Sequence, residues 1–157
     1  MKVTRARERD LPAIIAMWEK LSNWHRPFSD YLEPASDWRE YLMESFKKDL
    51  NNNGRLLLIA KERKYNIGFI RGEIRNTNEM FHQKPVGYIS DLFVEEFYRG
   101  HSVSDNLVGE AICWFKGLGI DYIRLNVNSQ NINAIRFYNR VGFKEVNKTL
   151  SLKISNN

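Results

Sequence analysis

Hydrophobic and polar positions change period several times along this chain, and each change marks an element. Lys2–Arg7 alternates weakly, as a first strand does, and Asp10 stands where a helix N-cap belongs, with Leu11 and Pro12 in the first turn. Ile14, Met17, Trp18 and Leu21 then form a helical stripe, which Asn23–Pro34 breaks with two prolines. Ser36 is placed to cap a second helix running to about Leu50, with Trp38, Tyr41, Leu42, Phe46 and Leu50 on its apolar side. Asn51-Asn-Asn-Gly54 stops it. Leu56–Glu62 and Ile67–Arg75 read as two strands joined by a short polar hairpin turn, and Asn76–Pro85 as a loop.

Tyr88–Val94 is rich in β-branched and aromatic residues, the composition of a strand. From Val103 onward Leu107, Ala111, Trp114 and Leu118 recur at helical spacing, widened by Val108, Ile112 and Phe115. Tyr122–Val127 alternates as a strand, and Asn128–Asn133 is a polar loop. Ala134, Phe137, Tyr138 and Val141 mark a short helix closed by Gly142, and Phe143–Val146 and Thr149–Ile154 read as two last strands. The predicted order is β-α-α-β-β-β-α-β-α-β-β, an α/β fold on a mixed central sheet flanked by helices.

Composition narrows the class. At 157 residues the expectation is a single domain over 1–157. The charged opening MKVTRARERD lacks the apolar core of a secretory signal, and the longest aliphatic run, Leu56–Ala60, is too short to span a membrane. The expected setting is cytoplasmic, with no membrane partner. Cys113 is the only cysteine, so no internal disulfide forms. His25, His82 and His101 have no metal-ligand spacing, so no metal is expected.

The net charge of +5 is unevenly spread: nine basic and nine acidic residues lie in 1–50, eight and six in 51–100, and seven and four in 101–157. No basic run appears, which argues against a nucleic-acid partner. The mild surplus in the later part suits an anionic cofactor equally with ordinary surface charge.

The segment with the most chemistry in it is the turn between Tyr88–Val94 and the helix after it. Phe97–Ser104 delivers free backbone N–H groups to a helix N-terminus, where amides and the helix dipole together bind phosphate oxygens. Neither a G-x-G-x-x-G fingerprint nor a P-loop is present. What stands there is Arg99-Gly100-His101-Ser102-Val103-Ser104, and downstream comes Asn131-Ile-Asn-Ala134-Ile-Arg-Phe137-Tyr138-Asn-Arg-Val-Gly142-Phe143.

On these two segments the chain resembles the GNAT superfamily of acetyl-CoA-dependent N-acetyltransferases, with its strand–(Q/R)-x-x-G-x-(G/A)–helix loop and its N-x-x-A-x-x-x-Y-x-x-x-G-F segment. The opening Arg5–Ile14 is similar to the family's first strand and helix. The resemblance implies the GNAT fold, with the strands at Tyr88–Val94 and Tyr122–Val127 splayed apart to admit the pantetheine arm of acetyl-CoA. It implies cofactor contacts from Leu92, Phe93, Val94, Arg99, Gly100, His101, Ser102, Val103, Ser104, Asn131, Ala134, Phe137 and Tyr138, with Arg136, Arg140 and Lys144 as further cations nearby. Ser102 and Ser104 depart from the pattern, which usually has glycine and then glycine or alanine. Each serine adds atoms beside the phosphates but keeps its N–H.

Tyr138 matches the family's general acid, which protonates the departing thiolate. An acceptor ammonium with a pKa of about 10 must also lose a proton. Ser90 stands where many relatives carry a base glutamate, with Asp91 next to it. Simple alternation sets Asp91 on the face of Ile89 and Phe93, where burial would raise its pKa, and Ser90 on the other face. Glu73, Tyr88 and a water chain are alternatives for the base.

The acceptor pocket implied by the family lies between the first two helices, at Trp24, Phe28, Asp30 and Tyr31. Aromatic and acidic groups there suit a cationic small-molecule amine. The alternatives are acetylation of a protein N-terminus or lysine, and a non-catalytic acyl-CoA-binding regulatory module. A last strand at Thr149–Ile154 would leave an edge able to pair across a homodimer.

Overall fold

A computed structural model describes residues 1–28, 33–76, 80 and 84–155. By contact density the chain separates into two compact units, 1–126 and 127–157. Asp30, Tyr31 and His82 lie outside the described residues.

The first unit is a five-stranded sheet in the order β1-β2-β3-β4-β5. The strands are β1 (Lys2–Arg5), β2 (Arg55–Glu62), β3 (Tyr65–Arg75), β4 (Val86–Val94) and β5 (Ile123–Leu125), and the helices of this unit are α1 (Leu11–His25), α2 (Trp38–Leu50) and α3 (Val103–Gly117). Strands β1 to β4 pair antiparallel, whereas β5 joins β4 in parallel. The sheet is mixed, as the element order predicts.

Two apolar layers cover it. Leu57, Ile59, Phe69 and Phe93 pack with Leu11, Ile14, Met17, Leu42 and Phe46 of α1 and α2. The opposite face receives α3, and there the sheet is thinned by glycine. A Cβ built on Gly87 would stand 2.7 Å from the Phe115 ring, and one on Gly72 would stand 3.1 Å from it. One on Gly68 would stand 3.3 Å from Leu107. Large α3 side chains fill the space these glycines leave.

Two helix starts differ from the sequence reading. The Asp10 carboxylate does not cap α1; it accepts from the Arg7 N–H at 2.9 Å and from Lys61 Nζ. A short 3-10 turn at Glu8–Asp10 displaces it from the capping geometry. Likewise Asp37, not Ser36, occupies the N-cap of α2, and its side chain makes no capping bond.

The second unit contains α4 (Ile132–Val141). Asn131 caps it, its side-chain oxygen accepting from the Ala134 N–H at 3.2 Å. Gly142 ends it with φ +116°, a left-handed value suited to glycine, and its N–H and that of Phe143 both return to the Tyr138 carbonyl, at 3.1 and 2.9 Å.

The two closing strands expected at Phe143–Val146 and Thr149–Ile154 do not form among the described residues. Val146, Leu150, Leu152 and Ile154 are exposed. Alternation supplies a face, but a strand exists only where a neighbour completes its ladder, and none pairs here. The edge on which a homodimer was argued is therefore absent from the described residues.

Candidate active site

Strand β4 carries most of the site. Its parallel pairing with β5 covers Gly87↔Ile123, Tyr88↔Arg124 and Ile89↔Leu125, and then stops. From Ser90 to Val94 no strand meets that edge of β4 among the described residues. Backbone groups there are available to a ligand, which is the splay the resemblance implies. Strand β5 is shorter than the Tyr122–Val127 alternation predicts, and Tyr122 and Val127 are exposed.

The polypeptide leaving β4 makes a 3-10 turn at Glu96–Tyr98 and then a loop into α3. Arg99 ties this loop back: its Nε donates to the Val94 carbonyl at 3.0 Å, and its guanidinium lies 6.0 Å from the Phe93 ring centroid. Gly100 has φ +78° and Ser102 φ +62°. Two left-handed residues so close together turn successive amides to one side, as in backbone nests that hold anions.

Among the described residues, the N–H groups of Gly100, His101, Ser102, Val103 and Ser104 donate to no protein acceptor, while the Ser102 carbonyl takes both the Asn106 N–H at 2.9 Å and Asn106 Nδ2 at 2.8 Å. The donors stand at the N-terminus of a 15-residue helix. This donor set fits a pyrophosphate. His101 is exposed, its Nδ1 meeting the Arg99 carbonyl at 3.0 Å.

Asp91 lies on the other side of β4 from where alternation predicts relative to Ile89. The β3–β4 ladder pairs Arg71 with Asp91 and Gly72 with Ile89, so Ser90 is an extra residue, a β-bulge. Cross-strand partners share a face. Ile89 therefore faces α3 with Gly72, whereas Asp91 shares the α1–α2 face with Phe93. Glu73 and Tyr88, partners in the same ladder, also lie on the α1–α2 face.

On that face Ser90 Oγ donates to Asp91 Oδ2 at 2.8 Å, and Trp18 stands beside the same carboxyl. Burial raises the Asp91 pKa above the ordinary carboxylate value. The Ser90 bond, the Arg71 charge and the nearby Trp18 indole oppose the rise, and the Asp49 charge adds to it. At the end of α1, desolvation lowers the His25 pKa and the Asp91 charge opposes that. Trp18 stacks against Trp38 at 5.3 Å between centroids, while Trp24 meets His25 and Phe28 at 5.3 Å each.

Glu73 and Tyr88 are committed elsewhere. Arg75 Nε donates to Glu73 Oε1 at 2.8 Å, and the Arg75 guanidinium lies 3.4 Å from the Tyr88 ring centroid.

In the second unit, Tyr138 follows Phe137 on α4, with ring centroids 5.2 Å apart, and meets Phe143 edge-on at 5.6 Å. Arg140 lies 5.5 Å over Phe137.

The sequence reading missed Ser45, Asp49 and Arg71, which stand on the same face as Asp91. Arg71 lies on an alternating strand and Asp49 near a helix end, both unremarkable settings in sequence. Only the β3–β4 register and the packing of α2 bring them together.

Residues 18–143 match the acetyltransferase (GNAT) family. The chain belongs to that family. It is a GNAT acetyltransferase domain. Over 122 residues it is 27% identical to an uncharacterised N-acetyltransferase of Methanocaldococcus jannaschii, a stretch covering 77% of this chain. The chain spans about half, 52%, of that relative's length.

Among solved structures, the GNAT domain is similar to a tetramutant of the BH1408 protein of Bacillus halodurans. The TM-score is 0.87 at 20% identity, over 98% of this chain and 100% of that one. It is also similar to the aminoglycoside acetyltransferase AAC(6')-Iy bound to a bisubstrate analogue of CoA and acetylneamine. There the TM-score is 0.78 at 15% identity, over 98% of this chain and 97% of that one. At these identities the likeness establishes the GNAT fold. No helix among the described residues is long and apolar enough to cross a membrane, and none of their His, Cys, Asp and Glu side chains cluster as a metal site.

Proposed function

We propose that this GNAT domain acetylates the primary amine of a small molecule, with Asp91 as general base and Tyr138 as general acid. The observation that carries the reading is the position of Asp91. It is a carboxyl with raised proton affinity, on the strand whose free edge runs from Ser90 to Val94 and leads directly into the loop of unpaired amides.

Gly100, His101, Ser102, Val103 and Ser104 would hold the pyrophosphate through their amides, and the open edge from Leu92 to Val94 would hold the arm. Acetyl-CoA bound there supplies an activated acetyl thioester, whose C–S bond breaks as the amine nitrogen forms the C–N bond. Asp91 takes one proton from the acceptor ammonium; its raised pKa makes it a stronger base than an exposed carboxylate. A backbone N–H near Phe93 or Val94 polarises the acyl oxygen. The Tyr138 hydroxyl gives a proton to the departing thiolate, and the second proton lost by the acceptor nitrogen restores the phenol. On the acceptor side, Trp24 and Phe28 at the end of α1 offer aromatic faces to a cation.

The experiment is a panel of primary amines assayed for CoA release, with Asp91→Asn and Tyr138→Phe beside the parent. Loss of about 100-fold or more in kcat for either variant, with acetyl-CoA binding retained, is the expected result. Binding of acetyl-CoA without turnover of any amine would mark a non-catalytic acyl-CoA module instead. Equal turnover by Asp91→Asn and the parent would remove the base assignment.

A further inference from the structure

Arg71 and Asp91 are direct cross-strand partners. A guanidinium and a carboxylate so placed ordinarily close into an ion pair. Among the described residues no N···O contact within 4.0 Å joins them. The Arg71 fork is engaged elsewhere. Its Nε donates to Asp49 Oδ2 at 2.6 Å and its Nη2 to Ser45 Oγ at 2.6 Å, both on α2, and its Cζ lies 4.9 Å from the Phe46 ring centroid.

Asp49 is itself anchored. It is buried, and its other oxygen accepts from Arg55 Nη1 at 2.8 Å. Two acceptors on one helix, engaging Nε and Nη2, lock the guanidinium in a way a single contact would not. Asp91 is left with a neutral donor, Ser90, and with Trp18 beside it.

We propose that Asp49 and Ser45 form a restraint that holds the Arg71 guanidinium off Asp91, making Arg71 a positioning residue for the base. The proposal rests on the reading of Asp91 as general base. A freed Arg71 would pair with Asp91 and depress its pKa by about one to three units, which weakens a base that has to deprotonate an ammonium. The groups bearing on Asp91 come from every element around it. They are Ser90 on its own strand, Arg71 on β3, Trp18 and His25 on α1, and Asp49 on α2 with Arg55 behind it. Removing Asp49 acts in one direction twice: it frees the cation and deletes an anion. Removing the Arg71 charge acts in the opposite direction.

The test uses Asp49→Asn, Ser45→Ala and Arg71→Gln in the full chain. Two readouts are taken, the titration of the Asp91 carboxyl carbon in protein labelled with 13C-aspartate (assigned with Asp91→Asn) and the pH profile of kcat/KM for CoA release. Asp49→Asn is expected to lower the Asp91 midpoint by about one to two pH units, with the acidic limb of kcat/KM following and kcat falling about tenfold. Ser45→Ala shifts both in the same direction by less, and Arg71→Gln raises both. Should Asp49→Asn not fold, the opposite signs of Ser45→Ala and Arg71→Gln carry the test.

An unmoved Asp91 midpoint in the folded variants, or an upward shift in Ser45→Ala, overturns the restraint while leaving Asp91 free to be the base. A midpoint that moves while the kcat/KM limb stays overturns the base reading, and the positioning role with it.

Discussion

Ile89 and Asp91, two residues apart on β4, face opposite sides of the sheet. The bulge at Ser90 separates them: Ile89 pairs with Gly72 over α3, and Asp91 pairs with Arg71 under α1 and α2. A regular strand would have sent both to one side. The extra residue re-aims the one carboxylate of β4 without disturbing the apolar contacts on either face.

Stability should record the cost of burying Asp91. Its folded pKa lies above the unfolded one, so the folded state binds more protons and stability falls as pH rises through the interval between them. Asp91→Asn removes that dependence. Relative to the parent, the variant is expected to gain thermal stability at neutral pH, with the gain shrinking as pH falls toward the ordinary carboxylate value of about 3.9. Thermal melts of both proteins from pH 4 to 8 check this; a gap that widens toward acid would contradict it.

Ser102 holds a left-handed conformation, φ +62°, at the entrance to α3. A non-glycine residue is strained there by about 1–2 kcal/mol, partly offset on substitution by the larger unfolded-state entropy of glycine. Ser102→Gly should therefore leave stability equal or slightly higher and preserve the acetyl-CoA thermal shift. Ser102→Val, β-branched, should lower stability by about 1–2 kcal/mol and shrink that shift. Differential scanning fluorimetry with and without acetyl-CoA reads both.

Ion pairs in this domain differ sharply in worth. Asp49 is 1% exposed and shared by Arg55 and Arg71, so Asp49→Ala breaks two ion pairs made to one buried carboxylate and is expected to cost about 3 kcal/mol in urea unfolding. The Arg39–Glu19 pair is equally short, 2.6 Å, but both side chains are more than a third exposed. Arg39→Ala should cost less than about 1 kcal/mol. Equal losses would mean that burial does not set the difference.

Gly87 has no room for a methyl group. Gly87→Ala sets its Cβ 2.7 Å from the Phe115 ring, and overpacking of this kind costs about 1–3 kcal/mol. The paired variant Gly87→Ala/Phe115→Leu should recover part of the loss, since the three atoms nearest the added Cβ all belong to that ring. No recovery would point to a backbone cause instead.

Much of the fold was readable along the chain. The stripes at Ile14–Leu21 and Leu107–Phe115, the hairpin of β2 and β3, and Gly142 closing α4 follow from local periodicity and turn chemistry. Alternation also suggested strands at 143–146 and 149–154 that did not form, because a period of two states a preference and not a partner. Asn131 and the Arg99–Ser104 loop were found by their motifs, which are contiguous. Asp10 does stand at the N-cap of α1, but its carboxylate turns to Arg7 and Lys61 instead of capping, and the N-cap of α2 falls at Asp37, one residue after Ser36.

Periodicity, the two contiguous motifs and the glycine positions belong to the chain as a string: they set which segments are helix or strand and that the loop before α3 presents amides. The surroundings of Asp91 belong to the folded molecule. Trp18, the Ser45/Asp49 pair and Arg71 are far apart in sequence, and local spacing links only Ser45 and Asp49, one turn apart on α2. They meet because a single bulged residue, Ser90, turns Asp91 toward α1 and α2, and because the antiparallel register sets Arg71 opposite it. Register and helix packing are long-range contacts, and they decide the electrostatics of the site.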